Sequence, residues 1–155
     1  VEQGESLIAE GAKVYVIDDA ELDRVKNNYP VMWKDKNATP KLCFVGCPHL
    51  SYDQLVEWTE NVCESLKKNG RSKVSIPTVF TAAPAVVEKF NATPNAAKLK
   101  ATGVVLSYIC PLMYMNNPLA GKMPVITNSN KLRTYTTSRY YTSAEILDII
   151  TKEAK

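Results

Sequence analysis

Two runs of strand-forming residues, Leu42-Cys43-Phe44-Val45-Gly46 and Val74-Ser75-Ile76-Pro77-Thr78-Val79-Phe80, flank one long amphipathic stretch from about Tyr52 to Lys68. Short β-branched runs alternating with helical stretches are the signature of an α/β layered domain, with a mostly parallel sheet flanked by helices. The long helix is marked at both ends. Ser51 can cap the first-turn amides, Gln54 stands three residues on in capping-box position, and Asn69-Gly70 closes the far end. Leu55, Thr59, Val62 and Leu66, joined by Val56 and Cys63, form its apolar stripe.

The same alternation extends to both ends of the chain. Val14-Tyr15-Val16-Ile17 reads as a first strand, Asp18-x-x-Glu21 as a helix start, and Asn27-Asn28-Tyr29-Pro30 as its stop. Pro77 implies an edge position or an irregular end for the Val74–Phe80 strand. Pro84 opens a helix toward Phe90, and Pro94 opens a shorter one ending at Gly103. Val104 to Ile109 is a further strand and Pro124-Val125-Ile126 a short one. Thr142-x-x-Glu145 opens the last helix with a second capping box, and Ile146, Leu147, Ile149 and Ile150 supply its apolar side. No repeat and no long linker divides the chain, so residues 1–155 are expected to be a single α/β domain.

Composition narrows the function classes. The chain has 155 residues, 45% of them hydrophobic and 23% charged, with 6 Gly, which excludes disorder and collagen-like repeats. The net charge of +3 is scattered and leaves no basic stripe for nucleic acid; Lys67-Lys68 and Arg71 are explained by the preference for cations at a helix C-terminus. No stretch approaches the ~20 apolar residues that span a bilayer. Val1-Glu2-Gln3-Gly4 lacks a signal peptide's charged head and apolar middle. A soluble, cytoplasmic protein is expected. Its first residue, Val1 in place of Met, points to a piece of a longer chain. Cysteines at 43, 47, 63 and 110 include no C-x-x-C pair and are too sparse for a disulfide framework, in keeping with a reducing compartment. The sequons at Asn37 and Asn91 are discounted, because such triplets are common by chance.

Ligands of open α/β sheets gather at the carboxyl ends of the strands, so the residues just after each strand are the candidates for chemistry. Those ends read Gly46-Cys47-Pro48-His49, Cys110-Pro111 and Thr127-Asn128-Ser129-Asn130-Lys131, and all three could line one crevice. A thiolate beside a helix N-terminus is electrostatically favoured, so Cys47 and Cys110 read either as soft-metal ligands or as small packing residues. Cys43, inside a strand, and Cys63, on the helix stripe, read as packing residues. His49, the single histidine, reads first as a structural residue bridging backbone groups at the helix start. Two cysteines and one histidine do not make a self-contained zinc site, so any cluster needs ligands from elsewhere. The turn from Thr127 to Lys131 offers backbone amides and an ammonium to a carboxylate or phosphate, or is a solvated helix cap; Arg133, Thr134, Tyr135, Thr136, Thr137 and Arg139 extend it with further donors.

At these same places the chain resembles the C-terminal part of the large subunit of the aconitase X family. The stretches that carry the resemblance are Phe44-Val45-Gly46-Cys47-Pro48-His49-Leu50-Ser51, Ala101-Thr102-Gly103-Val104-Val105 leading to Cys110-Pro111, and Val125-Ile126-Thr127-Asn128-Ser129-Asn130-Lys131 followed by Tyr135. The resemblance implies an aconitase-like domain of a hydro-lyase that eliminates water from a small hydroxy acid, such as a hydroxyproline or phosphomevalonate. It also implies an iron-sulfur cluster whose iron acts as a Lewis acid on the leaving hydroxyl while a base removes the neighbouring proton. Cys47 and Cys110 would then be cluster ligands, with a third ligand outside this chain. His49, Ser51, Asn128, Ser129 and Lys131 would bind substrate. The remaining domains of the large subunit and a small swivelling domain or subunit would be partners, the latter carrying the base. As an isolated piece the chain would be inactive.

The chain departs from the family pattern at Tyr108, where an acidic residue is common, and at Thr134, where a histidine is common. These departures imply either a different substrate or loss of the cluster. Two other readings stand beside the dehydratase. One is a noncatalytic metabolite-binding or assembly domain that uses the Asn128–Lys131 turn, and the other is a thiol redox protein that uses Cys47.

Overall fold

The structure is a computed structural model, and it describes residues 4–153. Residues up to Pro30 and residues from Val31 onward form two compact units. The first contains a helix, α1 (Asp19–Asn27), and it starts and stops as expected. Asp18 is its N-cap, its carboxylate accepting from the Glu21 amide at 2.9 Å, and Asn28 is its C-cap. Val14–Ile17 is not a strand. All four side chains are well exposed, and no β-ladder includes them. Strand propensity describes fitness for a half-buried pleated surface, and without a neighbouring strand it produces none.

From Val31 onward the chain builds five parallel strands, β1 (Leu42–Leu50), β2 (Thr78–Ala82), β3 (Val105–Ser107), β4 (Val125–Thr127) and β5 (Arg139–Tyr140), in the order β3-β2-β1-β4-β5. The helices are α2 (Tyr52–Lys68), α3 (Pro84–Asn91), α4 (Pro94–Ala101), α5 (Pro111–Met115), α6 (Asn130–Tyr135) and α7 (Ser143–Thr151). Winding starts in the middle of the sheet, runs out through β2 to the β3 edge, then returns to the other side of β1 with β4 and β5.

Successive side chains of a strand point to opposite faces, and β1 obeys this as far as Val45; its pairing with β2 then loses register, and Cys47 falls on the face of Phe44. Cys43 and Val45 join the larger core, with Leu55, Val62 and Leu66 of α2, Phe90 of α3, Leu99 of α4, and Ile146 and Ile150 of α7. Phe44 and Cys47 join a smaller cluster with Met115 of α5, Val125 of β4 and Leu132 of α6. Helices therefore cover both faces of the sheet. Both predicted capping boxes form, Ser51 with Gln54 on α2 and Thr142 with Glu145 on α7. The α2 stripe also includes Trp58, packed edge-on to Phe80.

The second strand begins at Thr78, four residues later than its composition indicates. The Val74 amide donates to the Thr102 carbonyl at 2.9 Å and the Ser75 amide to the Ile150 carbonyl at 2.8 Å, so this backbone is engaged by α4 and α7 ends before any ladder can form. Pro77 lies just ahead of an interior strand, not on an edge, and its carbonyl accepts from the Cys43 amide at 2.9 Å. At the β5 edge the Arg139 guanidinium sits over the rings of Trp33 (5.6 Å) and Tyr141 (5.3 Å).

Candidate functional site

In a fully parallel sheet every strand end of one kind lies on one side, so the segments after β1, β3 and β4 share the carboxyl end. The winding direction reverses between β1 and β4, and at such a reversal two adjacent strands send their connections to opposite faces and leave a crevice. The segments that flank it are Gly46–His49 and Asn128–Lys131.

The β1 end is built irregularly. Val45 pairs with Phe80 and Leu50 with Ala82, so Gly46, Cys47, Pro48 and His49 stand opposite Thr81 alone and bulge from the sheet. Gly46 begins the bulge at φ +111°, where only glycine is comfortable, and a Cβ there would lie 2.3 Å from the Thr81 carbonyl oxygen. The Cys47–Pro48 peptide is cis. Pro48 and His49 are exposed while Leu50 returns to the core. The helix start is closed by Ser51 and Gln54, whose mutual bonds measure 2.9 and 3.2 Å, and not by the histidine.

On the β4 side Thr127 is buried and its hydroxyl accepts from the Ser129 amide at 3.1 Å. Ser129 caps α6, its hydroxyl accepting from the Leu132 amide at 2.9 Å. The Asn128 amide group donates to the Ser143 hydroxyl at 3.1 Å, and Lys131 is exposed. Thr134 caps back on the Asn130 carbonyl at 2.7 Å.

The two cysteines differ in setting. Cys47 is 8% exposed and lies in the smaller apolar cluster, to which α5 contributes Met115 with Leu112 and Tyr114 at its margin. Cys110 is half-buried and stands at the N-cap of α5. Both thiols lie at the carboxyl end of the sheet, and Cys47 is largely covered. Among the described residues no group of three His, Cys, Asp or Glu is gathered to hold a metal. These residues fit a metal cluster only as a partial donor set of two thiols. Cys43 is fully buried, and burial pushes its thiol far up, so it is inert packing. Burial also raises the Cys63 thiol.

The family described as aconitase X third domain matches residues 40–151, most of the chain. This chain belongs to the aconitase X family. The crystal structure of Thermococcus kodakaraensis aconitase X in its holo-form is similar to it with a TM-score of 0.69 and 20% identity, over 97% of this chain and 37% of that one. The chain therefore spans little more than a third of that aconitase X. No curated protein matches it in sequence. The aconitase X match begins at residue 40, just before β1, and ends at the last residue of α7, so both crevice-forming segments fall inside it. No helix among the described residues is long and apolar enough to cross a membrane.

One residue that shapes the end of β1 escaped the sequence reading. Thr81 is completely buried and donates its hydroxyl proton to the Gly46 carbonyl at 2.6 Å. The only signal of it was a glycine placed ahead of Cys-Pro at a strand end, which marks a close backbone approach but not the partner.

Proposed function

We propose that this chain is the third domain of an aconitase X type dehydratase that eliminates water from a small hydroxy acid. The observation that carries the reading is the placing of two family-matched segments, Gly46–His49 and Asn128–Lys131, on either side of the β1/β4 reversal. Lys131 supplies an exposed ammonium and α6 begins one residue before it, a setting suited to a substrate carboxylate or phosphate. Asn128 and Ser129 hold that turn in shape through Ser143 and Leu132. His49 and Ser51, exposed at and just after the end of β1, would be further polar groups for the substrate.

Cys47 and Cys110 are the residues of this chain that would hold an iron-sulfur cluster, with the remaining ligand supplied from outside it. Such a cluster, when bound, supplies a Lewis-acidic iron for the departing hydroxyl. The proton-abstracting base belongs to another domain or to a small partner subunit. Anaerobic iron-sulfur reconstitution of the full-length protein, with iron analysis and visible absorption, tests the reading. Loss of iron in Cys47→Ser and Cys110→Ser is expected, and iron content unchanged by either substitution would overturn their role.

A further inference from the structure

We infer that Thr81 is a positioning residue that holds Cys47 at the end of β1, an inference that rests on the proposed role of Cys47 as a ligand. Where β1 leaves its register, the ladder bonds between neighbouring backbones cease, and a buried carbonyl left without a donor is costly. Thr81 fills this gap with its side chain, donating to the Gly46 carbonyl at 2.6 Å from a position with no solvent exposure. The contact is close because the bulge begins at a glycine: a Cβ on Gly46 would fall 2.6 Å from the Thr81 hydroxyl and 2.9 Å from its amide nitrogen. The residue after Gly46 is Cys47. One hydroxyl on β2 thus fastens the carbonyl through which the chain turns toward the thiol, from the side of the sheet away from β4.

The thiol itself reports on this. A thiol exposed to only 8% is alkylated through local opening of the bulge, so the rate follows the opening equilibrium. In cluster-free full-length protein, iodoacetamide alkylation of Cys47 followed by peptide mass spectrometry is compared with that of fully buried Cys43, which reports wider unfolding. Thr81→Val keeps the shape and removes the hydroxyl. It is expected to speed Cys47 alkylation about five-fold, the equivalent of one buried hydrogen bond (~1 kcal/mol), with Cys43 remaining much slower than Cys47. Thr81→Ser keeps the hydroxyl and is expected to restore the wild-type rate. In reconstituted protein, Thr81→Val is expected to shift the visible absorption of the cluster at unchanged iron content, and Thr81→Ser is not. Equal Cys47 rates in wild type and Thr81→Val would overturn the inference, as would a rise shared by Thr81→Ser or alkylation of Cys47 and Cys43 at one common rate. If Thr81→Val does not fold, Thr81→Ala, which crowds nothing, is judged by the same criteria. Iron uptake indifferent to Cys47→Ser sinks the ligand reading alone and leaves the alkylation comparison intact.

Discussion

Tyr114 stacks on Phe44 with ring centroids 5.4 Å apart and an interplanar angle of 26°. This one contact fastens α5, whose N-cap is Cys110, to the strand that leads to Cys47. The Tyr114 hydroxyl also lies 3.1 Å from the Ser107 hydroxyl at the end of β3, so a single ring links β1, β3 and the helix after it. Phe44→Ala removes a nearly fully buried ring and is expected to cost about 3–5 kcal/mol. Tyr114→Ala, at a half-buried position, should cost less, and urea unfolding of the two single variants and the double variant measures the coupling between them.

Gly46 admits no side chain. Alanine there would combine a left-handed backbone with a Cβ driven into the Thr81 carbonyl, so β1 and β2 must separate. Gly46→Ala is expected to lose about 3 kcal/mol or more, read as a lowered thermal midpoint. Gly70→Ala is the control: its φ is also positive, at +66°, but no atom lies within 4 Å of the added carbon, and only the backbone term of about 1 kcal/mol should appear.

Two helices on one face carry reciprocal caps. Ser51→Ala and Thr142→Ala each release an amide of the first helical turn and should each cost about 1 kcal/mol. Denaturant midpoints of the single and double variants should show near-additivity, because each box is closed within its own helix.

Glu21 gives the pH dependence. The Arg24 side chain, bonded to its carboxylate at 2.6 Å, and then the Tyr15 hydroxyl hold its pKa down at about 2, from 4.5. A depressed carboxylate favours the folded form above its unfolded pKa, and that contribution fades as pH falls from about 4.5 through 2. Its effect on stability is small because it belongs to a surface pair whose arginine is exposed to solvent. Carboxyl NMR titration is expected to show Glu21 ionised well below pH 4, and Arg24→Gln should raise its pKa toward the ordinary glutamate range, with the Tyr15 bond still holding it below.

The elements that were legible beforehand are those whose signals are local. α2 begins and ends where Ser51 and Asn69 indicate, and α1 and α7 follow Asp18 and Thr142 in the same way, because a cap is a contact between residues three apart. Strand limits were less legible. Val14–Ile17 has the composition of a strand and no partner strand, whereas in Val74–Pro77, which has the composition, the Val74 and Ser75 amides are spent on helix ends. β5, of two residues, and α5, of five, are too short for any periodicity to reveal. At the site, the carboxyl-end placement followed from alternation alone. The bulge and its buried threonine did not, because the pairing of Gly46 with a residue thirty-five positions later is a tertiary fact.

The two faces of the sheet are unequally upholstered, with four helices and the larger apolar mass behind it and only the short α5 and α6 in front. Local opening free energy scales with the contacts that must be broken, so amide exchange should be slowest at the back and quickest in the front pair. Cys110 caps α5, and the Cys47 side chain packs against the cluster that this front pair covers. Adjustments around an incoming molecule can therefore occur there while the rear of the domain keeps its native packing.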